Sequence, residues 1–146
     1  GLDRQARRDV AERSSNTARI GADWSRPLGE GRLSLSVDLR RTQSDAAVID
    51  HRAARLEVGY ALGRPVLGAR LSARFGVEAK QFDGSFFGID GRDDTTLSVG
   101  VEAFLPEAGY MGFAPVLGLT ARHTDSNVAL YETRDIGLSL GLKSAF

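Results

Sequence analysis

Three residues near the end of the chain have the types needed for hydrolytic chemistry. His123, Asp125 and Ser126 lie close together along the chain, and a serine, a histidine and an aspartate can jointly cleave an ester or amide bond. A triad of this kind requires the three side chains to converge in space, which proximity along the chain does not provide. We therefore expect no catalytic residues and no enzymatic activity.

An acidic segment supplies the other group of chemically capable residues. Asp83, Asp90, Asp93 and Asp94 carry carboxylate oxygens, the ligands that hard cations such as Ca²⁺ prefer. Their spacing does not match an EF-hand loop, and acidic surface loops without a bound ion are common. We expect no metal ligands and no cofactor.

Charged residues that alternate with apolar ones are more informative. Between Leu67 and Lys80, apolar residues alternate with polar ones that include Arg70, Arg74 and Glu78. This period of two places apolar and charged side chains on opposite faces of a strand. The charged residues that fall on such polar faces along the chain are Arg19, Asp38, Arg40, Arg55, Glu57, Arg70, Arg74, Glu78, Lys80, Glu102, Arg122, Asp135 and Lys143.

Seven segments alternate in this way, and each is bounded by turn residues. The last, Thr133 to Phe146, alternates almost without exception and ends on an aromatic residue. The apolar faces of the other six are Ala18, Ile20, Ala22, Trp24; Leu33, Leu35, Val37, Leu39; Ala54, Leu56, Val58, Tyr60, Leu62; Leu67, Ala69, Leu71, Ala73, Phe75, Val77, Ala79; Leu97, Val99, Val101, Ala103, Leu105; and Phe113, Pro115, Leu117, Leu119, Ala121. No charge falls on these faces, so the sequence predicts an all-β antiparallel fold.

The links between the segments alternate in length. Short links run 26–31, 63–66 and 106–110, and long links run 42–52, 81–94 and 123–132. A transmembrane β-barrel of the bacterial outer membrane has short periplasmic turns and long extracellular loops. We therefore predict an antiparallel transmembrane barrel of about seven strands, with the polar faces lining its water-filled lumen.

Aromatic residues support this orientation. Trp24, Tyr60, Phe113 and Phe146 share the apolar phase near the short-link end, which is typical of the aromatic girdle at a membrane interface. Phe82, Phe86 and Phe87 lie in a long link, where exposed aromatic residues either plug the barrel mouth or contact a partner.

Composition narrows the possible partners. The 146 residues include 19 basic and 19 acidic ones, so no large field of one sign is present to attract nucleic acid. The absence of cysteine excludes disulfide scaffolds. No apolar run approaches the roughly 18 residues that a membrane helix needs. The partners expected are outer-membrane lipid and proteins, not nucleic acid.

A soluble barrel of the lipocalin type has the same alternation with the opposite orientation. Glycine placement favours the membrane barrel. Glycine weakens a solvent-exposed strand face but makes room for long side chains inside a narrow lumen. The glycines assigned to polar faces are Gly21, Gly59, Gly68, Gly76, Gly100, Gly118, Gly137 and Gly141.

Seven strands are an odd number, whereas bacterial barrels have an even number. Treated as a strand, the segment Gly1 to Ser15 would point Arg4 and Arg8 into lipid, at about 2–4 kcal/mol each near the midplane. We therefore predict an exposed polar loop at residues 1–15 and the strands of a C-terminal barrel part at residues 16–146. The alternative is a complete eight-stranded barrel with one poor strand.

The last forty or so residues resemble the C-terminal end of the surface lipoprotein assembly modifier (Slam) family. The matching positions are Gly112, Pro115, Arg122, Ser126, Asn127, Tyr131 and Phe146. The resemblance implies the second half of a fourteen-stranded outer-membrane barrel. It also implies a periplasmic tetratricopeptide-repeat domain, which this chain does not contain, and client proteins that are moved to the cell surface.

The final strand also resembles the recognition signal of the barrel assembly machinery. Ser139, Gly141 and Phe146 have the usual spacing, while Ser144 stands where an apolar residue is preferred. The expected function is thus translocation or surface display of client (lipo)proteins in the outer membrane of Gram-negative bacteria. The alternatives are a passive outer-membrane barrel or porin and a soluble lipocalin-like binding barrel.

Overall fold

The computed structural model describes residues 2–5, 15–44, 50–83 and 91–144. The strands in these ranges are β1 (Leu2–Gln5), β2 (Ser15–Leu28), β3 (Gly31–Ser44), β4 (His51–Ala61), β5 (Arg70–Phe82), β6 (Arg92–Phe104), β7 (Phe113–Ser126) and β8 (Thr133–Ser144). Two short 3₁₀ turns, Pro106–Ala108 and Ala129–Tyr131, lie in the links before β7 and β8. None of the helical turns in the described ranges has the length and apolar character needed to cross a membrane.

All eight strands form one antiparallel sheet in which neighbours in the chain are neighbours in space. Strands β2 to β8 correspond one by one to the seven predicted segments, so the prediction of an all-β antiparallel fold is confirmed. Over the described residues the sheet is open, because β1 and β8 do not pair with each other. Its closure into a barrel stays a prediction.

The structure corrects the prediction of a loop over residues 1–15. Leu2–Gln5 forms β1, which pairs with the first residues of β2 from Leu2 opposite Ala18 to Gln5 opposite Ser15. Ser15 itself belongs to β2. The edge of β2 offers unpaired N–H and C=O groups, and a neighbouring backbone can pair with them whatever its side-chain pattern. The stretch 6–14 lies outside the described residues.

Two of the short links contain the same tight turn. At Tyr110–Phe113 the central residues Met111 and Gly112 have φ of 51° and 81°, and positive φ at both positions defines a type I′ turn suited to strand twist. The turn at Val66–Ala69 has φ of 52° and 78° at its central positions. Its second central residue is Gly68, so the assignment of Gly68 to a strand face is wrong. Strand β5 begins two residues later.

The two faces of the sheet differ sharply in exposure. We call the face that carries the alternating charged residues the polar face and the opposite one the apolar face. On β3, Leu39 on the apolar face is 49% exposed, whereas the side chain of its neighbour Asp38 is 15% exposed. Val99 and Leu140 are 50% and 77% exposed, so these side chains do not meet in a sealed centre. On β4 and β6 the polar face is likewise the more shielded one, whereas the residues of β8 are exposed on both faces.

The described residues contain almost no hydrophobic core. The buried hydrophobic residues among them are Ala53, Ala114 and Val128. Large apolar side chains of every strand from β2 to β8 are exposed instead. This distribution is the reverse of a water-soluble domain, in which large apolar residues fill the interior.

Candidate functional site

Strand register collects the predicted charged residues on one face. Neighbouring strands place Asp38 opposite Arg55, Arg55 opposite Glu78, and Arg122 opposite Asp135. All the predicted lumen residues share this phase: Arg19, Asp38, Arg40, Arg55, Glu57, Arg70, Arg74, Glu78, Lys80, Glu102, Arg122, Asp135 and Lys143. The polar face is therefore the candidate site.

Ion pairs cover the polar face of β2, β3 and β4. Asp38 accepts a hydrogen bond from Nε of Arg19 and lies 3.8 Å from Nη2 of Arg40. On β4, Nη2 of Arg55 donates to Oε2 of Glu57 at 2.6 Å. Each of these carboxylates thus has a guanidinium partner.

A second set of ion pairs covers β5, β6 and β8. Nζ of Lys80 is 2.8 Å from Oε1 of Glu78. Glu102 lies between two cations, with Nη2 of Arg74 at 3.5 Å and Nζ of Lys143 at 4.0 Å. Exposed pairs of this kind contribute little to stability individually. Their effect is to neutralise the polar face locally while leaving it strongly polar.

Arg122 differs from these paired cations. It lies opposite Asp135 on β8, yet among the described residues it forms no ion pair. Two grooves in the polar face, of about 400 and 380 Å³, are both lined by Arg122 together with Arg55 and Ser98. The guanidinium of Arg122 thus lies where the two grooves meet, next to Asp135, which also lines both grooves, and forms no ion pair among the described residues.

Glycines shape the polar face by leaving room for side chains of the next strand. A Cβ on Gly59 would be 2.6 Å from Oγ of Ser34, and one on Gly100 would be 3.2 Å from Cγ of Arg74. The hydroxyl of Ser34 donates to the Gly59 carbonyl at 3.3 Å. The side chains of Ser34 and Arg74 therefore occupy the space that a side chain at Gly59 or Gly100 would need.

The long-link end contains a cluster that the sequence pattern did not reveal. The guanidinium of Arg92, the first residue of β6, is sandwiched 3.6 Å from the ring centroid of Phe82 and 3.9 Å from that of Tyr131. Its Nη2 is 3.1 Å from Oδ2 of Asp94, and the Arg92 side chain is 12% exposed. Ser126 donates to Oδ1 of Asp94 at 2.7 Å. This cluster ties the end of β5 and the link after β7 to the start of β6.

Three of the positions that resemble the Slam family meet in this cluster. Asn127 accepts a hydrogen bond from the backbone N–H of Asp93 at 3.0 Å, beside Ser126 and Tyr131. These residues therefore hold the β7–β8 link against β6. The only sign of this role in the sequence is that aromatic and polar residues occur at both ends of two long links. This sign does not predict the cluster, because the strand register decides whether those ends lie close together.

The remaining motif residues are spread along the sheet. Gly112 occupies the I′ turn before β7, and the Pro115 carbonyl accepts from the Leu105 N–H at 3.0 Å. Ser139 and Gly141 lie on the polar face of β8, where Ser139 covers Gly118. Phe146 lies outside the described residues.

The aromatic girdle residues lie toward the short-link ends of their strands. Trp24 and Phe113 are exposed on the apolar face. Tyr60 is half-buried, and its hydroxyl donates to the Leu28 carbonyl at 3.1 Å. Of the long-link aromatics, Phe82 packs on Arg92, while Phe86 and Phe87 lie outside the described residues.

The hydrolytic and metal candidates that the structure describes do not assemble a site, and Asp90 lies outside the described residues. His123 Nε2 is 2.9 Å from Oδ1 of Asp125, but Ser126 lies on the opposite face and bonds Asp94 instead. Within the described ranges no three His, Cys, Asp or Glu residues come together in an arrangement that could hold a metal ion. The grouping that the structure does assemble is the charged polar face.

No family model, curated protein or solved structure matches this chain.

Proposed function

We propose that this chain forms part of the wall of a β-barrel in the bacterial outer membrane, and that its polar face lines a hydrated path for client (lipo)proteins on their way to the cell surface. The observation that carries the proposal is the contrast between the two faces: large apolar side chains are exposed on every strand from β2 to β8, while ion pairs cover the opposite face.

The exposed apolar face supports contact with lipid. Soluble monomers rarely expose contiguous apolar patches larger than a few hundred Å², because each Å² left in water forgoes about 25 cal/mol. Strands β2 to β8 have 11 to 14 residues, and a tilted strand of about 9–11 residues crosses a membrane. The lengths of these strands and the exposure of their apolar side chains therefore suit a barrel wall that spans a membrane.

The polar face and the strand edges support a path for a polypeptide. The paired charges make this face polar without a large net charge of one sign, and Arg122 on β7 forms no ion pair among the described residues. The outer edge of β8 carries unpaired backbone groups over the described residues, and a passing extended segment can pair with such an edge. The resemblance to the Slam family is the reason for preferring client proteins as cargo.

A passive porin is the second candidate, favoured by the same hydrated face with ion pairs. Planar-bilayer recordings of the full-length protein separate the two candidates, since a porin conducts steadily whereas a gated translocator stays mostly closed. A soluble lipocalin-like barrel would require the apolar side chains to meet in an interior, and Val99 and Leu140 are exposed instead.

Two neighbouring substitutions test the membrane wall. Leu119 and Thr120 are consecutive on β7 and lie on the apolar and polar faces respectively. We expect Leu119→Arg to reduce the amount of folded protein in the outer membrane, because a lipid-facing arginine costs about 2–4 kcal/mol at the midplane. Thr120→Arg is the matched control and should assemble normally. Equal assembly of both variants would contradict the orientation.

The translocation role is tested in cells. Deletion of the gene should leave client lipoproteins inside the cell, and surface proteolysis should then fail to digest them. Full-length protein supplied from a plasmid should restore their digestion. Unchanged display of every surface protein after deletion would leave the passive barrel as the better description.

A further inference from the structure

The apolar face contains a hollow at the long-link end of β2 to β5. The hollow measures about 760 Å³, within the roughly 300–1,000 Å³ typical of small-molecule sites. Small side chains create it: Ala18, Ala54 and Ala79 lie among Ile20 and Leu39. Arg19, Arg40 and Ala53, which lie between these residues along the strands, complete the lining together with Arg41, Arg52 and Gln81.

Two like charges face each other at the rim of this hollow. Arg41 on β3 and Arg52 on β4 are directly opposite in the register and share the apolar phase of Leu39 and Ala54. Residues directly opposite on adjacent strands have Cβ atoms only about 4.5–5.5 Å apart, and like charges there destabilise the pairing.

Within the part of the chain that the structure describes, no ion pair relieves this repulsion. Neither Arg41 nor Arg52 forms an ion pair there. Gln81 follows Arg52 in the same row of the sheet, and the next outward residue, Asp93, lies one strand further away. Both residues are exposed, so a ligand from outside can reach them.

The position of the pair at the edge of the apolar face matters. One row further from the long links, the outward residues are Ile20, Leu39, Ala54 and Ala79, all apolar. A ligand that contacts both rows therefore needs an anionic group for the arginines and a hydrocarbon part for the apolar row. Guanidinium groups bind phosphate oxygens through paired N–H donors.

We infer that the hollow is a binding site for a phosphate-bearing lipid, whose headgroup lies on Arg41 and Arg52 and whose acyl chain lies over Ala18, Ala54 and Ala79. This inference rests on the proposed membrane orientation. A free phosphate ion would use the two arginines but would leave the alanine hollow empty, so the apolar lining favours the lipid.

Lipid retention tests the site. The full-length protein and its variants are reconstituted in nanodiscs of phosphatidylcholine with a minor fraction of phosphatidic acid, and lipids retained after release are counted by native mass spectrometry. The Arg41→Gln, Arg52→Gln double variant should retain phosphatidic acid about 10- to 30-fold less well, the expected contribution of two basic side chains to headgroup attraction. Arg26→Gln, Arg134→Gln removes two other outward charges and should behave as the unchanged protein.

A second variant tests the acyl part of the site. Ala54→Phe fills the hollow and keeps both arginines, so it should also lower phosphatidic acid retention, while added inorganic phosphate should not displace the lipid from the unchanged protein. Equal retention by both double variants, or full displacement by inorganic phosphate, would overturn the inference. If the protein enters the nanodiscs and only these results fail, the proposed membrane wall stands. If it does not enter, both proposals fall.

Discussion

Gly76 on β5 lies directly opposite Ser98 on β6, and the Ser98 hydroxyl donates to the Gly76 carbonyl at 3.3 Å. A Cβ on Gly76 would be 2.7 Å from that hydroxyl oxygen. The space beside a polar-face glycine is thus occupied by a neighbouring side chain. The absence of a side chain at position 76 is required by packing rather than by backbone conformation.

Gly76→Val should destabilise the folded sheet. The added methyl groups must displace Ser98, and overpacking of a filled site typically costs about 1–3 kcal/mol. Gly141→Val is the matched control on the same face, because a Cβ at Gly141 meets nothing within 4 Å. Urea unfolding in detergent micelles measures both free energies of unfolding. Equal losses in the two variants would show that the Ser98 contact does not decide the effect.

Tyr131→Leu should loosen the β7–β8 link. The substitution removes one of the two rings that sandwich Arg92, a contact worth about 0.5–2 kcal/mol. Hydrogen exchange of the backbone amides at the start of β6 and in the link should become faster. Tyr110→Leu at an exposed turn serves as the control and should leave those amides unchanged. Unchanged exchange in Tyr131→Leu would mean that Asn127 and Ser126 alone hold the link.

Arg122→Glu should change the ionic preference of the hydrated path. The variant replaces a cation that lines both grooves of the polar face, and that forms no ion pair among the described residues, with an anion. Reversal potentials in planar bilayers under a salt gradient should shift toward cation selectivity whenever the barrel opens. Arg134→Glu makes the same charge change on the apolar phase of β8 and should leave selectivity unchanged. A shift of equal size in both variants would argue against a lumen position for Arg122.

Much of the sheet could be predicted from the sequence, because the side chains of a strand alternate between its two faces. The position of a residue in this alternation is therefore enough to assign its face. Leu39 and Asp38, or Leu119 and Thr120, are assigned to opposite faces by parity alone. The same alternation predicts that Arg122 and Asp135 lie on one face of the sheet, without any knowledge of how β7 and β8 pair.

Features that depend on contact between distant residues could not be predicted in this way. Strand β1 forms because the edge of β2 is available for pairing. The sequence of Leu2–Gln5 does not alternate between apolar and polar residues, so it does not predict a strand. The sandwich of Arg92 between Phe82 and Tyr131 requires the end of β5, the start of β6 and the β7–β8 link to converge. Gly68 continues the alternation of β5 by spacing, yet its positive φ places it in a turn.

The face that meets lipid is the central claim, and site-specific labelling tests it most directly. The 146 residues contain no cysteine, so Leu119→Cys and Thr120→Cys each provide a single labelling site for a fluorophore within this part of the protein. In lipid vesicles, a nitroxide attached to the acyl chains should quench the label at position 119, and a water-soluble quencher should act on the label at position 120. The opposite pattern, or quenching of both labels only from water, would contradict a membrane wall with its charged residues inside.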